Sequence, residues 1–302
     1  MSRRDGIGGS DIGAVAGLNP YRSPMDVYME KLGLTDEREE TDFLYWGKAL
    51  EYPIADRYRK EHPEFILMLA QEIQHDWRRG TPDRLAFEMG RKSHLLEIKT
   101  VGWRVAHRWG EMKTDQIPEE YLAQCTWYLS LTELPFCDVA ALIGGNEYRE
   151  YRVMRNLELE ARLIEIGERF WFENVQKQIP PPPDSSETYR KMLAKIYPRV
   201  KRDLIIATPI MTDLALRLRE VKSQIDIYES DKTLIENEIA AQITDAEGIA
   251  GAFGKIVWLE SKFTRTDWKA LAAELKISPQ TIAEFTTSTP TRTLRTYWKK
   301  GE

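Results

Sequence analysis

Four consecutive prolines, Pro180 to Pro183, set the first constraint on this chain. Each ring fixes φ and removes a backbone donor, so neither a helix nor a central strand passes through the run, and an extended spacer is what remains. The long amphipathic pattern before it, Leu157 to Gln178, has to stop there, and the chain is expected to fold as two bodies. The boundaries follow as a first domain at residues 1–178, a proline-rich linker at 179–186 and a C-terminal extension at 187–302. A length of 302 residues with 42% hydrophobic content suits that division, because one core rarely serves a chain of this size.

Composition excludes several classes of function. Cys125 and Cys137 are the only cysteines, which rules out a four-cysteine zinc or iron–sulfur site within one chain and gives no disulfide framework. The N-terminal Ser2-Arg3-Arg4-Asp5 leads into no apolar segment of signal-peptide length, and no later segment approaches a bilayer span. No membrane association and a reducing, cytoplasmic setting are therefore expected. A formal net charge of −5 is unfavourable for coating nucleic acid, but charge is unevenly distributed. Between Trp77 and Lys113 the basic residues, among them Arg78, Arg79, Arg84, Arg104 and Arg108, outnumber the acids Asp83, Glu88, Glu97 and Glu111.

Periodicity places the elements. Ser10 to Ala16 and Pro24 to Lys31 read as short helices, and Asp42 to Lys60 as a longer one, kinked or restarted at Pro53, that carries Glu51. Three β-type runs follow, Ile66 to His75, Gly80 to Glu88 and Lys92 to Thr100, with Met89-Gly90 as the turn between the last two. A helix over Glu119 to Leu131, a hairpin from Phe136 to Met154 across Gly144-Gly145-Asn146, and the helix before the prolines complete a mixed α/β domain. Past the linker, the pattern predicts a charged helix over Ile210 to Ile243, a glycine-punctuated β-like region at Gly248 to Lys262, a helix at Asp267 to Leu275 and a basic strand at Arg292 to Lys299.

The strongest chemical signal is Thr81-Pro82-Asp83 followed by Glu97-Ile98-Lys99. Residues two apart on a strand share a side, so Glu97 and Lys99 project together while Ile98 turns to the core and offers its carbonyl. If the two runs pair, Asp83 sits beside Glu97. Hard carboxylate oxygens suit Mg²⁺, with Mn²⁺ as a plausible substitute, and a nearby lysine suits the orientation of an attacking water in phosphodiester hydrolysis. Read alone, the pattern is also satisfied by an exposed ion pair on a strand.

Five segments in order carry a resemblance that narrows this choice: Gly6-Ile7-Gly8-Gly9-Ser10-Asp11, Trp46-Gly47-Lys48-Ala49-Leu50-Glu51, Gly80-Thr81-Pro82-Asp83, Leu96-Glu97-Ile98-Lys99 and Ala123-Gln124-Cys125-Thr126-Trp127-Tyr128. The chain resembles the YqaJ-type viral recombinase family, relatives of phage lambda exonuclease within the RecB-like PD-(D/E)xK nucleases. The resemblance implies an α/β, restriction-endonuclease-like core, a mixed central sheet flanked by helices, followed here by a helical plus small α/β extension. It implies that Asp83 and Glu97 bind metal, that the Ile98 carbonyl adds a ligand, that Lys99 assists the attacking water and that Glu51 supports a second metal. Gln124 and Tyr128 match the glutamine-x-x-x-tyrosine motif, and their spacing shares one helix face. The same residues also read as a surface glutamate, a buried amide and a core aromatic.

The glycine-rich Ser10 region allows close backbone approach and a helix start suited to an anion; in the resembling exonucleases it helps hold a 5′ phosphate, with Arg3 or Arg4 as candidate partners. A plain helix cap accounts for it too. Arg104 and Arg108, between Trp103 and Trp109, read either as DNA contacts or as solvated arginines over packed aromatics. His75, His94 and His107 lack metal-ligand spacing. The expectation is a phage or prophage 5′-to-3′ exonuclease on linear double-stranded DNA, supplying 3′ single strands to a single-strand annealing protein and assembling as a homo-oligomer, a trimeric ring. An endonuclease or nickase is the rival with the same chemistry; a catalytically inactive DNA-binding or assembly protein is the rival from another class.

Overall fold

The computed structural model describes residues 4–35, 41–197, 204–260, 264–286, 294 and 296–297. It divides into two compact units, Met1–Tyr197 and Pro198–Glu302. The basic strand expected at Arg292 to Lys299 lies largely outside the described residues, as does Arg3; Leu294, Thr296 and Tyr297 are described and are not in a strand.

The first unit opens with helices α1 (Gly9–Val15), α2 (Pro24–Lys31) and α3 (Asp42–Glu61). Then come β1 (Ile66–Leu69), β2 (Ile73–His75), β3 (Arg78–Gly80), β4 (Arg84–Glu88) and β5 (Arg91–Val101). A 3₁₀ turn, Trp103–Arg108, leads to α4 (Glu119–Thr132), β6 (Phe136–Ile143), β7 (Glu147–Met154) and α5 (Leu157–Arg169). Five strands form one sheet in the order β1-β4-β5-β6-β7. Only β5 and β6 run parallel. A parallel pair needs a crossover, and α4 lies within it. The β4–β5 reversal at Met89 (φ 46°) and Gly90 (φ 78°) has two left-handed residues in succession, the backbone that a tight hairpin requires.

Strand β5 is buried on both faces. Leu96 and Ile98 pack with Ile54, Ala55 and Tyr58 of α3, while Leu95 and Val101 join the larger core with Trp127 and Leu129 of α4. That contact holds the second half of α3, which is one continuous helix through Pro53 and does not restart there.

The expected strand Ile66 to His75 is two strands. β1 pairs with β4, whereas β2 turns back through Asp76, a left-handed residue (φ 54°), onto β3 in a separate two-stranded sheet. The expected domain break within 179–186 also moves. α6 (Glu187–Ile196) follows the prolines and buries Met192, 1% exposed, in the main core, and Ser186 Oγ lies 3.4 Å from Ser23 Oγ at the start of α2. The prolines are thus a strap along the first unit, because one amphipathic helix beyond them still has an apolar face to bury.

The second unit contains α7 (Pro209–Ile243), the hairpin β8 (Gly248–Gly251) and β9 (Gly254–Val257), α8 (Trp268–Glu274) and α9 (Pro279–Glu284). These match the helix, β-like region and helix expected there, with α9 in addition. Among the described residues no helix is long and apolar enough to cross a membrane.

A buried polar network ties α3 to the sheet. Tyr58 OH donates to Asp138 Oδ2 (2.6 Å), so His94 Nε2, 2.9 Å from the same hydroxyl, has to be its donor. Burial pushes the His94 ring down to about 4, against the pull of Asp138 and with help from Arg152. The unfolded chain binds a proton at its ordinary value near 6.5 and the folded chain does not, so stability is lost as pH falls from about 6.5 towards 4. Thermal unfolding followed across that window should show a shallower decline for His94→Gln than for the parent; equal slopes would refute the assignment.

Candidate functional site

The β4–β5 ladder ends at Arg84 opposite Leu96, so the amide of Ile98 lies beyond the last β4 partner. Asp83, just before β4, uses that opening: its Oδ2 accepts the Ile98 N–H at 2.7 Å. This places the Thr81-Pro82-Asp83 turn against the Glu97-Ile98-Lys99 segment, as the sequence pairing predicts.

On the α4 side of β5, Lys99 Nζ donates to Glu97 Oε1 (2.7 Å) and to Gln124 Oε1 (3.0 Å). Gln124 Nε2 donates to the same Glu97 oxygen (2.7 Å) and to Tyr128 OH (3.0 Å). The amide has only one workable orientation, since its oxygen meets the ammonium and its nitrogen meets the carboxylate. Lys99 Nζ also lies 4.8 Å from the centre of the Tyr121 ring, a cation–π contact that sequence reasoning missed because Tyr121 is three residues ahead of the recognised motif.

Glu97 is 2% exposed, and its second oxygen, Oε2, is buried without a hydrogen-bond partner. An orphaned carboxylate oxygen of this kind is costly unless a cation or donor completes it. Burial raises the Glu97 carboxyl to about 7, with Lys99 opposing and Asp83 adding to the rise. Asp83 is raised by burial too, against Lys99, the Ile98 amide and Arg84. Glu51, half-exposed on α3, is raised by burial and then by Asp83, and Arg84 Nη1 stands 3.8 Å from its Oε2. Burial lowers Lys99, but Glu97 and Asp83 outweigh it and hold the ammonium above its ordinary value. Three carboxyl groups are thereby held towards neutrality, a balance that added positive charge would reverse.

Among the described residues, no group of three or more His, Cys, Asp or Glu side chains is arranged to hold a metal ion. The donor chemistry nonetheless fits magnesium, which binds through one or two carboxylates and keeps several of its waters. Asp83 and the unpartnered Glu97 oxygen are such donors.

The Ser10 region is built differently from the expectation. Asp11 is buried and accepts from the Gly8 amide (2.9 Å), Lys31 Nζ (2.6 Å) and Arg22 Nη1 (2.7 Å). Burial alone would raise Asp11, yet Lys31 and Arg22 hold it below the usual carboxylate range. Ser10 is exposed beside this cluster, and a cavity of about 160 Å³ joins it to Thr81, Arg79 and Tyr128. Arg4 lies against Gly33 instead of at that cavity's lining. Arg108 forms a two-bond pair with buried Glu120 (2.6 and 2.7 Å), and Arg104 lies 5.5 Å from the Trp103 ring centre. Both arginines line an aromatic cleft of about 530 Å³ shared with Tyr121. The 3₁₀ turn thus places Arg104 and Arg108 near Lys99 through Tyr121.

A mixed sheet with helices on both faces, bearing this acid, acid and lysine set beside a glutamine–tyrosine helix, defines a PD-(D/E)xK-like nuclease fold. The model of the YqaJ-like viral recombinase domain matches residues 1–135, which include all five of the ordered segments. The uncharacterized protein YqaJ of Bacillus subtilis (strain 168) is 29% identical over 295 residues, covering 90% of this chain and 85% of that protein, so the likeness continues past the proline run. Among solved structures, the chain is similar to an alkaline exonuclease (LHK-Exo) from Laribacter hongkongensis, with a TM-score of 0.46 and 20% identity over 64% of this chain and 96% of that one. A phage related exonuclease from Haemophilus somnus 129PT gives 0.44 and 10%, over 57% and 96%.

Tyr128 reaches its place only because Gly9 and Gly80 leave room: a Cβ on Gly9 would sit 2.3 Å from the Tyr128 ring and one on Gly80 2.8 Å. Gly9→Ala should therefore lower stability by about 1–3 kcal/mol through overpacking, measured by denaturant unfolding. Gly102→Ala, where an added Cβ meets nothing within 4 Å, should leave it unchanged.

Proposed function

We propose that the first unit is a magnesium-dependent deoxyribonuclease, and that its reaction is 5′-to-3′ exonucleolytic hydrolysis of linear double-stranded DNA. The observation that carries the hydrolytic reading is the buried, unpartnered Glu97 Oε2 in a network that also contains Asp83, Lys99 and Gln124. Asp83 and Glu97 would hold the cation. Ile98 contributes its carbonyl on the same side of the strand as the amide that meets Asp83, since both groups of a strand residue point one way. Glu51, whose carboxyl feels the charge of Asp83, would serve a second cation. When bound, the cation neutralises phosphate charge and acidifies a water molecule.

The protein's own groups supply orientation. Lys99 is held as an ammonium by Glu97 and aimed by Gln124, so it carries a proton and a positive charge beside the carboxylates where a phosphate would enter. Gln124 keeps that lysine from swinging away, and Tyr128 fixes Gln124 in turn. The exonucleolytic direction, the recessed 3′ product for a strand-annealing partner and a ring of three copies rest on the family resemblance. The locally basic segment and the small cavity beside Ser10 support a DNA end as substrate.

Linear duplex labelled at one end or the other, and covalently closed circles, separate the readings. Release of mononucleotides from 5′ ends with Mg²⁺ or Mn²⁺, none with EDTA, is the expected outcome. Cutting of closed circles would establish an endonuclease or nickase, and no hydrolysis under any metal would establish a DNA-binding role. Asp83→Asn and Lys99→Ala should each lower kcat by at least about a hundredfold. Unchanged activity in both would remove these residues from the site.

A further inference from the structure

Helix α7 runs for 35 residues, about 52 Å, and among its described side chains Ile243 alone is buried. A helix of this length in water needs a packed apolar face. Its sequence contains one. Met211, Leu218, Ile225, Lys232 and Ile239 recur every seven residues, and Leu214, Val221, Tyr228, Ile235 and Gln242 recur three residues after each. This 3–4 alternation across five heptads is the seam of a coiled coil. Leu214, Val221, Ile225, Tyr228 and Ile235 on that seam are 48–65% exposed.

Charges beside the seam say what covers it. We infer that α7 pairs with α7 of a second copy of this chain as an antiparallel two-stranded coiled coil. In that arrangement Leu218 faces Ile235, Ile225 faces Tyr228 and Lys232 faces Val221 of the other copy. The flanking positions then set Arg217 against Glu238 and Lys222 against Glu229, each pair occurring twice by symmetry. A parallel pair would set Arg217 against Lys222 and Asp231 against Glu236, all like charges, and would stack Lys232 on its own copy. Lys232 already lies 3.6 Å from Glu236 of its own helix, which directs its ammonium out of the seam while the stem covers Val221. Lys222 donates one hydrogen bond to Thr296 Oγ1 (2.9 Å), and an ammonium has three donors. Charge pattern and seam therefore select the same partner and one direction.

Cysteine cross-linking in the full chain tests this independently of any association through the first unit, because Cys125 and Cys137 are buried. Mixed Leu218→Cys and Ile235→Cys variants should give a disulfide-linked heterodimer on mild oxidation, while Leu218→Cys alone should give none. Cross-linking of Leu218→Cys alone would mean a parallel pair, and no cross-link in the mixture would mean that the seam is not covered by a second copy; either overturns the inference. Sedimentation gives a second reading. Lys222→Glu should raise the α7 dissociation constant about tenfold in the antiparallel arrangement, whereas a parallel pair would be tightened. Ile225→Asp should abolish the mixed cross-link, and Ile227→Asp, off the seam, should leave it intact, with helical content checked by circular dichroism.

Discussion

Strand β5 is eleven residues long and covered on both faces, and this double burial governs the rest of the first unit. Leu96 and Ile98 face α3, while Leu95, Glu97, Lys99 and Val101 face the α4 side. Two charged residues thus lie where a central strand would ordinarily bear apolar ones. Placing a carboxylate and an ammonium in a core is expensive, and the Coulomb attraction between them offsets that cost only when the remaining donors and acceptors are satisfied. Gln124 satisfies most of them; Glu97 Oε2 is the exception. The network is better understood as a preorganised polar site than as a source of stability.

The same arrangement links the site to the fold's connectivity. Because β5 and β6 are parallel, the crossover between them must carry a helix across the sheet, and α4 delivers Tyr121, Gln124 and Tyr128 to one face of β5. The early end of the β4–β5 ladder frees the Ile98 amide, and Asp83 occupies it. Gly9 and Gly80 give up side chains so that Tyr128 approaches both. Fold and site are therefore joined through backbone geometry as much as through side-chain identity. Around them, Asp11 and Glu30 pair with Lys31 and Arg22 and fix the N-terminal helices with charges that neutralise each other, leaving Ser10 at the surface of a small polar cavity.

Asp83, Glu97, Lys99, Gln124 and Tyr128 were legible because their spacing follows the periods of strand and helix, and because the ordered segments around them resemble a known family. Helices α1 to α5 and the β4–β5 and β6–β7 hairpins were legible for the same reason: caps, glycine turns and apolar periodicity are local. Tyr121, Asp11 and Lys31 were not, since nothing local marks an aromatic ring as the seat of a distant ammonium or a capping aspartate as the partner of a lysine twenty residues away. Arg108 looked available for DNA and is held in two hydrogen bonds by Glu120, twelve residues along the chain.

The proline run shows where local reading ends. By itself the sequence determined that no regular element crosses Pro180 to Pro183, that Glu97 and Lys99 share one side of a strand, and that α7 repeats in heptads, because each follows from residue stereochemistry and period. Only the tertiary structure decided that α6 returns to bury Met192 in the first unit, that both faces of β5 are covered, and that one oxygen of Glu97 is left without a partner. Those outcomes depend on which surfaces meet across long stretches of chain, and burial, unlike periodicity, is a property of the assembled core.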